Sequence, residues 1–227
     1  MNKNTQSNTR KIVFMGLICA LAYICMFVFR IKVSFLTFDL KNTILAVGAL
    51  IFGPVSGMVT SLVVSVLEMI TISDTGIWGC IMNFLSSATY VFIAGLIYKY
   101  KRTLPGAIIS LSVASVVMTA IMIPLNLIIT PIYTGMPTST IAEMILPLLL
   151  PFNAIKAVLG SAVTLLIYKP VSRIFKSAGI GFTNDKSHTL NKKSIAIAIA
   201  SVILIVICVL LFILCYNGSF ELYAKLK

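Results

Sequence analysis

The sequence predicts an all-α integral membrane protein, and three observations carry that reading. Apolar residues make up 59% of the 227-residue chain and charged ones only 11%, a balance outside the range of soluble domains. Runs long enough to cross a bilayer recur from one end to the other. The basic residues, which bring the formal net charge to +12, lie between those runs and form no single basic face. They therefore read as topology signals and exclude a nucleic-acid footprint.

The first span follows a short basic segment and reaches Phe29 without a secretory cleavage pattern, so it is expected to be retained. Gly16 and Ala20, continued by Ala22, form a small-xxx-small pattern that lets another backbone approach, from this chain or from a partner. Arg30 to Asn42 mixes charge with Phe35, Leu36, Phe38 and Leu40, which predicts a loop that tucks inward. Thr43 to Phe52 is apolar but too short to span, stops at Gly53-Pro54 and precedes a full-length element from Val55 to Ile72. A half-length helix between two full ones leaves a recess that a ligand can enter. Glu68 and Asp74 flank the exit of that element. Thr75 to Gly79 turns the chain into a fourth span ending near Tyr98, with Asn83 one turn after Gly79. A fifth span follows Leu104-Pro105-Gly106 and runs to about Thr130, its far end expected to be interrupted by Pro124 and Asn126, freeing a carbonyl and a carboxamide. The loop Pro131 to Pro137 leads to a sixth span, Ile141 to Tyr168. Ile195 to Tyr216 is a further uninterrupted apolar run. The expected organisation is a six-helix core with a short second helix at 1–176, a polar cytoplasmic linker at 177–193, and an additional transmembrane helix and tail at 194–227.

With the N-terminus in the cytoplasm, twelve of the eighteen basic residues (Lys3, Arg10, Lys11, Lys99, Lys101, Arg102, Lys169, Arg173, Lys176, Lys186, Lys192 and Lys193) fall inside. Arg30, Lys32, Lys41, Lys225 and Lys227 then fall outside, an asymmetry that satisfies the positive-inside rule. This orientation places the C-terminus outside and makes the 30–42 loop, the 131–143 loop and the start of the sixth span open outward.

Between Ile141 and Tyr168 the only charges are Glu143 and Lys156. A cation at this depth costs about 2.5 kcal/mol or more unless it faces a polar cavity or a partner. Asn153 and Lys156, three residues apart, share one helix face, with Gly160 a further turn along. The blander alternative is a lysine that snorkels to a headgroup. Catalysis has no support: HExxH, GxSxG, paired aspartates on facing spans and a Walker-type loop are all absent from the sequence. The five cysteines and single histidine show no metal-ligand or disulfide spacing. Glu68 and Glu143 lie near span ends, which argues against an ion-coupled pump. A small outward-facing pocket anchored by Asn153, Lys156 and Asn126 remains.

Four segments then occur in order: Phe35-Leu-Thr-Phe-Asp-Leu, Ile51-Phe-Gly-Pro-Val-Ser-Gly57, Gly76-Ile-Trp-Gly-Cys-Ile-Met-Asn-Phe84 and Pro151-Phe-Asn-Ala-Ile-Lys156. Together, over roughly residues 10 to 176, the chain resembles the riboflavin-specific substrate-binding S component of energy-coupling factor (ECF) transporters. The resemblance implies a six-helix fold that takes vitamin from outside and associates with a transmembrane T subunit and two ATPases, with riboflavin as transported ligand and no cofactor. It implies flavin-ring contacts for Asn153 and Lys156, and partner docking for Gly16 and Ala20. The chemistry agrees, since the pyrimidine-like edge of an isoalloxazine offers acceptors and an N–H that a carboxamide and a lysine can meet. Phe38, Trp78 or Tyr133 could pack on the ring, although aromatics near an interface also serve as anchors. Asp39 could accept from ribityl hydroxyls or could be a solvated loop carboxylate, and Leu40 and Asn83 complete the expected lining. The additional helix departs from the family pattern. An S component for another vitamin, such as pantothenate, and a structural or regulatory subunit without ligand stay open on the sequence alone.

Overall fold

The computed structural model describes residues 3–33, 35–177 and 192–216. The protein is a bundle of helices, six of them long and apolar enough to cross a membrane among the described residues. In order the elements are α1 (Lys3–Val28), β1 (Ile31–Val33), β2 (Leu36–Phe38), α2 (Lys41–Phe52), α3 (Pro54–Thr71), α4 (Gly76–Tyr100), α5 (Leu104–Thr134), α6 (Thr138–Glu143), a π-helical turn (Ile145–Leu149), α7 (Leu150–Ser177) and α8 (Lys192–Cys215). The anticipated linker and tail fall largely outside the described residues.

The short second helix is the centre of the bundle. It has almost no polar face, and every residue from Lys41 to Phe52 except Ile44 is buried, as expected of a helix enclosed on all sides. Gly53, at φ 96°, joins it directly to α3, a conformation that glycine adopts without penalty. α3 then packs very closely on α2: a Cβ at Gly57 would lie 2.7 Å from that of Ala49, the kind of approach only small residues permit in lipid. Large apolar side chains on the outer faces, among them Val55, Ile70, Val116 and Leu204, remain exposed and supply the lipid-facing surface.

Three expectations need correction. The 30–42 segment does tuck inward, with Val33, Phe38 and Asp39 buried, but as an antiparallel hairpin in place of a loop, with Ile31 opposite Phe38 and Val33 opposite Leu36. Pro124 does not interrupt α5, which runs through it to Thr134 and ends at Gly135 in the left-handed region; neighbouring polar side chains let a membrane helix tolerate proline. Asn126, two residues on, donates from Nδ2 to the Met122 carbonyl of its own helix at 2.7 Å. Lys41, counted among the basic residues outside the membrane, is 1% exposed. It is enclosed because its ammonium pairs with Glu68, and Asp39 Oδ2 lies 3.9 Å away.

Candidate ligand-binding site

The hairpin, the ends of α3 and α5, and the starts of α4 and α7 meet at one end of the bundle and enclose a cavity of about 350 Å³, within the usual size range of small-molecule sites. Its wall combines Phe35, Leu36 and Thr37 of the hairpin with Glu68, Met82, Asn83, Ser86, Met122, Asn126, Tyr133, Phe152, Asn153 and Lys156. Arg30, Lys32, Ser73, Asp74 and Thr75 form part of the lining, nearest the hairpin and the α3–α4 turn. There Lys32 pairs with Asp74, and Arg30 Nη1 donates to the Ile72 carbonyl at 2.8 Å.

Asn153 is placed by an irregularity in its own helix. Pro147 and Pro151 cannot donate backbone hydrogen bonds, and the turn ahead of α7 widens to π geometry, with Leu149 N donating to the Met144 carbonyl at 2.9 Å. Asn153 Nδ2 donates to the Leu149 carbonyl at 2.8 Å. That leaves Oδ1 and a second N–H of a carboxamide on the cavity wall.

Lys156 lies one turn further and is 8% exposed. Its Nζ donates to the Thr37 carbonyl and to Asp39 Oδ2, both at 2.9 Å, so two of its three N–H groups fix the ammonium and one can serve a ligand. It does not snorkel. Asp39 Oδ1 accepts from the Lys41 backbone N–H at 3.0 Å, and Lys41 pairs in turn with Glu68. The result is a row of alternating charges, Glu68, Lys41, Asp39, Lys156, all buried. Burial by itself would push the Asp39 carboxyl pKa up, but the ammonium of Lys156, and then that of Lys41, outweigh it and hold the group below the usual carboxylate range. Below the cavity a polar seam joins the helices: Tyr90 and Ser115 hydroxyls meet that of Ser161 at 2.7 and 2.8 Å. Thr43 Oγ1 donates to the Gly160 carbonyl at 3.4 Å, so Gly160 receives a hydroxyl and not a neighbouring backbone.

Of the residues anticipated from sequence, Asn153, Lys156, Asn126, Asn83 and Tyr133 line the cavity. Asn126 is 0% exposed to bulk solvent, and Thr130 Oγ1 occupies its Oδ1 at 3.0 Å. Asp39 is not on the wall, and its oxygens hold Lys156 and the Lys41 N–H in place of a ligand hydroxyl. Phe38 packs into an apolar cluster with Phe152, with the half-buried Leu40 beside it, and Trp78 is 38% exposed and off the wall. Sequence reasoning missed Phe35, Thr37, Glu68 and Phe152. Phe152 stands next to Asn153, and Phe35 and Thr37 lie in the aromatic hairpin segment, so proximity to those motifs was a usable signal. Glu68 had none, because its partner lies 27 positions away. On α1, Gly16 and Ala20 are exposed, and a methyl group added at Gly16 would meet no atom within 4 Å.

Residues 10–168 match the family model described as the substrate-specific component of ECF transporters. Riboflavin transporter RibU of Staphylococcus aureus (strain TCH60) is 30% identical over 184 residues, covering 76% of this chain and 95% of the relative. Riboflavin transporter FmnP of Bacillus subtilis (strain 168) is 26% identical over 171 residues, covering 70% and 90%. A solved structure, reported as the S component of a bacterial ECF transporter, superposes with a TM-score of 0.64 at 28% identity, covering 74% of this chain and 99% of that one.

Proposed function

The chain belongs to the family of substrate-specific components of ECF transporters, and from that premise we propose that it captures riboflavin at the outer face of the cell membrane and delivers it with a shared energising module. The observation that carries the ligand is the pairing, one helical turn apart on α7, of a carboxamide and a fixed ammonium beside an aromatic slot. Asn153 can accept from the ring N–H and donate to a ring carbonyl, while the remaining N–H of Lys156 donates to a second carbonyl. Phe35, Tyr133 and Phe152 border the same space and offer faces and edges to a flat heterocycle. The relatives named as riboflavin transporters support this choice over another vitamin.

The positive-inside rule supports the orientation: with the N-terminus cytoplasmic, twelve of the eighteen basic residues are assigned inside, and the cavity opens outward. The partners are a transmembrane T subunit and two ATPases, and the open, small-residue face of α1 at Gly16 and Ala20 is the docking surface. Purified protein is expected to carry a yellow chromophore and to quench riboflavin fluorescence one to one, without competition from pantothenate. A colourless preparation that leaves riboflavin fluorescence unchanged removes the assignment.

A further inference from the structure

We propose that α8 belongs to the ligand-binding apparatus: Phe212 positions Lys156 by packing on Phe38, the residue set between the two groups that hold the lysine ammonium. The inference rests on the riboflavin reading for its ligand, but not for its geometry. Lys156 Nζ is fixed at 2.9 Å by the carbonyl of Thr37 and at 2.9 Å by the carboxylate of Asp39, and Phe38 stands between them in the chain. Its ring, 7% exposed, meets Phe152 edge-on at 6.1 Å and Phe212 of α8 at 4.6 Å.

α8 is otherwise a lipid-facing helix, with Leu210, Leu211 and Leu214 at 55%, 46% and 69% exposure. One stripe turns inward: Ser201, Cys208 and Phe212 are buried, and Ile205 and Cys215 pack beside them. The spacing is that of one helical face, and its aromatic member lands on β2. The hairpin is a two-stranded sheet of three-residue strands, and such a sheet does not hold its shape without packing against something else. The direction of the Thr37 carbonyl and the Asp39 carboxylate therefore depends on what clamps Phe38. Without the clamp, Lys156 loses a defined position before ligand arrives, and binding must supply that order. The family match ends at Tyr168, so this positioning element is appended to the part of the chain the family describes.

The test uses the full chain in detergent, with riboflavin fluorescence quenching and melting temperature measured on Phe212→Ala, Phe212→Leu, Leu214→Ala, Lys156→Ala and the double variant Phe212→Ala/Lys156→Ala. Phe212→Ala should weaken binding about 3- to 10-fold, the scale of a lost aromatic pair, with Phe212→Leu recovering most of that and Leu214→Ala matching wild type. In the Lys156→Ala background, Phe212→Ala should change affinity no further, because its effect passes through the lysine. Equal losses in both backgrounds, or wild-type affinity in Phe212→Ala, overturn the proposal. If wild type itself fails to quench riboflavin, the ligand assignment fails, and amide hydrogen exchange at residues 36–41 decides the positioning role. Exchange that rises in Phe212→Ala and not in Leu214→Ala supports it, and unchanged exchange in both overturns it.

Discussion

Replacing Lys156 by alanine should damage binding and stability for separable reasons. The ammonium makes two 2.9 Å hydrogen bonds inside the protein, and its removal leaves Asp39, 2% exposed, with Lys41 Nζ at 3.9 Å as its remaining cation. Breaking a buried ion pair from one side costs about 3–5 kcal/mol. The Lys41 ammonium and the backbone N–H that Asp39 Oδ1 keeps should reduce that to about 1–3 kcal/mol. Binding loses one charge-assisted hydrogen bond, about 1.5–3 kcal/mol, or roughly 10- to 150-fold in Kd. Adding Asp39→Asn to Lys156→Ala removes the orphaned carboxylate and leaves Lys41 and Glu68 as a neutral pair. The double variant should regain most of the melting temperature while its Kd for riboflavin, read by fluorescence quenching, stays weak. If affinity returns together with stability, the lysine acts only through the fold and its contact with ligand is refuted.

Asn153→Ala should cost about 1–3 kcal/mol of binding with a smaller change in melting temperature; wild-type affinity in that variant would take the carboxamide out of the site. Gly16→Leu or Ala20→Leu should leave riboflavin titration and melting unchanged while lowering co-purification of the T subunit and uptake, because helices in lipid depend on close backbone contact; joint loss of melting temperature and affinity would mean that the face packs within this chain. Acid should act through Asp39. Its folded carboxyl pKa is depressed, so the unfolded chain takes the proton first. The stabilisation is complete above about pH 4 and is lost as pH falls through the folded value. A melting profile between pH 6 and 3 should show this loss in wild type and not in Asp39→Asn; superimposable profiles contradict it.

The spans were legible because each is a long apolar run bounded by charge or by glycine and proline, and the half-length of α2 was visible in the same way. Asn153 and Lys156 were legible because polar groups stand out against an apolar helix. The ionic partners were not. Asp39 lies 117 residues from Lys156, and Lys41 and Glu68 each look like charges at the end of an element until α2 is seen to sit in the middle of the bundle. Phe38 was read as a ring contact for ligand because aromatic residues carry no mark of which side of a hairpin they face. Pro124 misled for the opposite reason: its local rule is strong, but a membrane helix packed among its neighbours runs through it.

The row of alternating charges also bears on how the chain is made. Lys41 and Glu68 are 27 positions apart and can meet as soon as α3 has entered the bilayer, whereas Asp39 waits 117 residues for Lys156. Until α7 arrives, the row holds two carboxylates against one ammonium, and Lys156 is the member that balances it. The helix that carries the proposed ligand contacts is thus the one whose insertion balances the row. A chain stalled short of α7 keeps an uncompensated anion at its heart, a defect that makes an unfinished binding site physically distinct from a finished one.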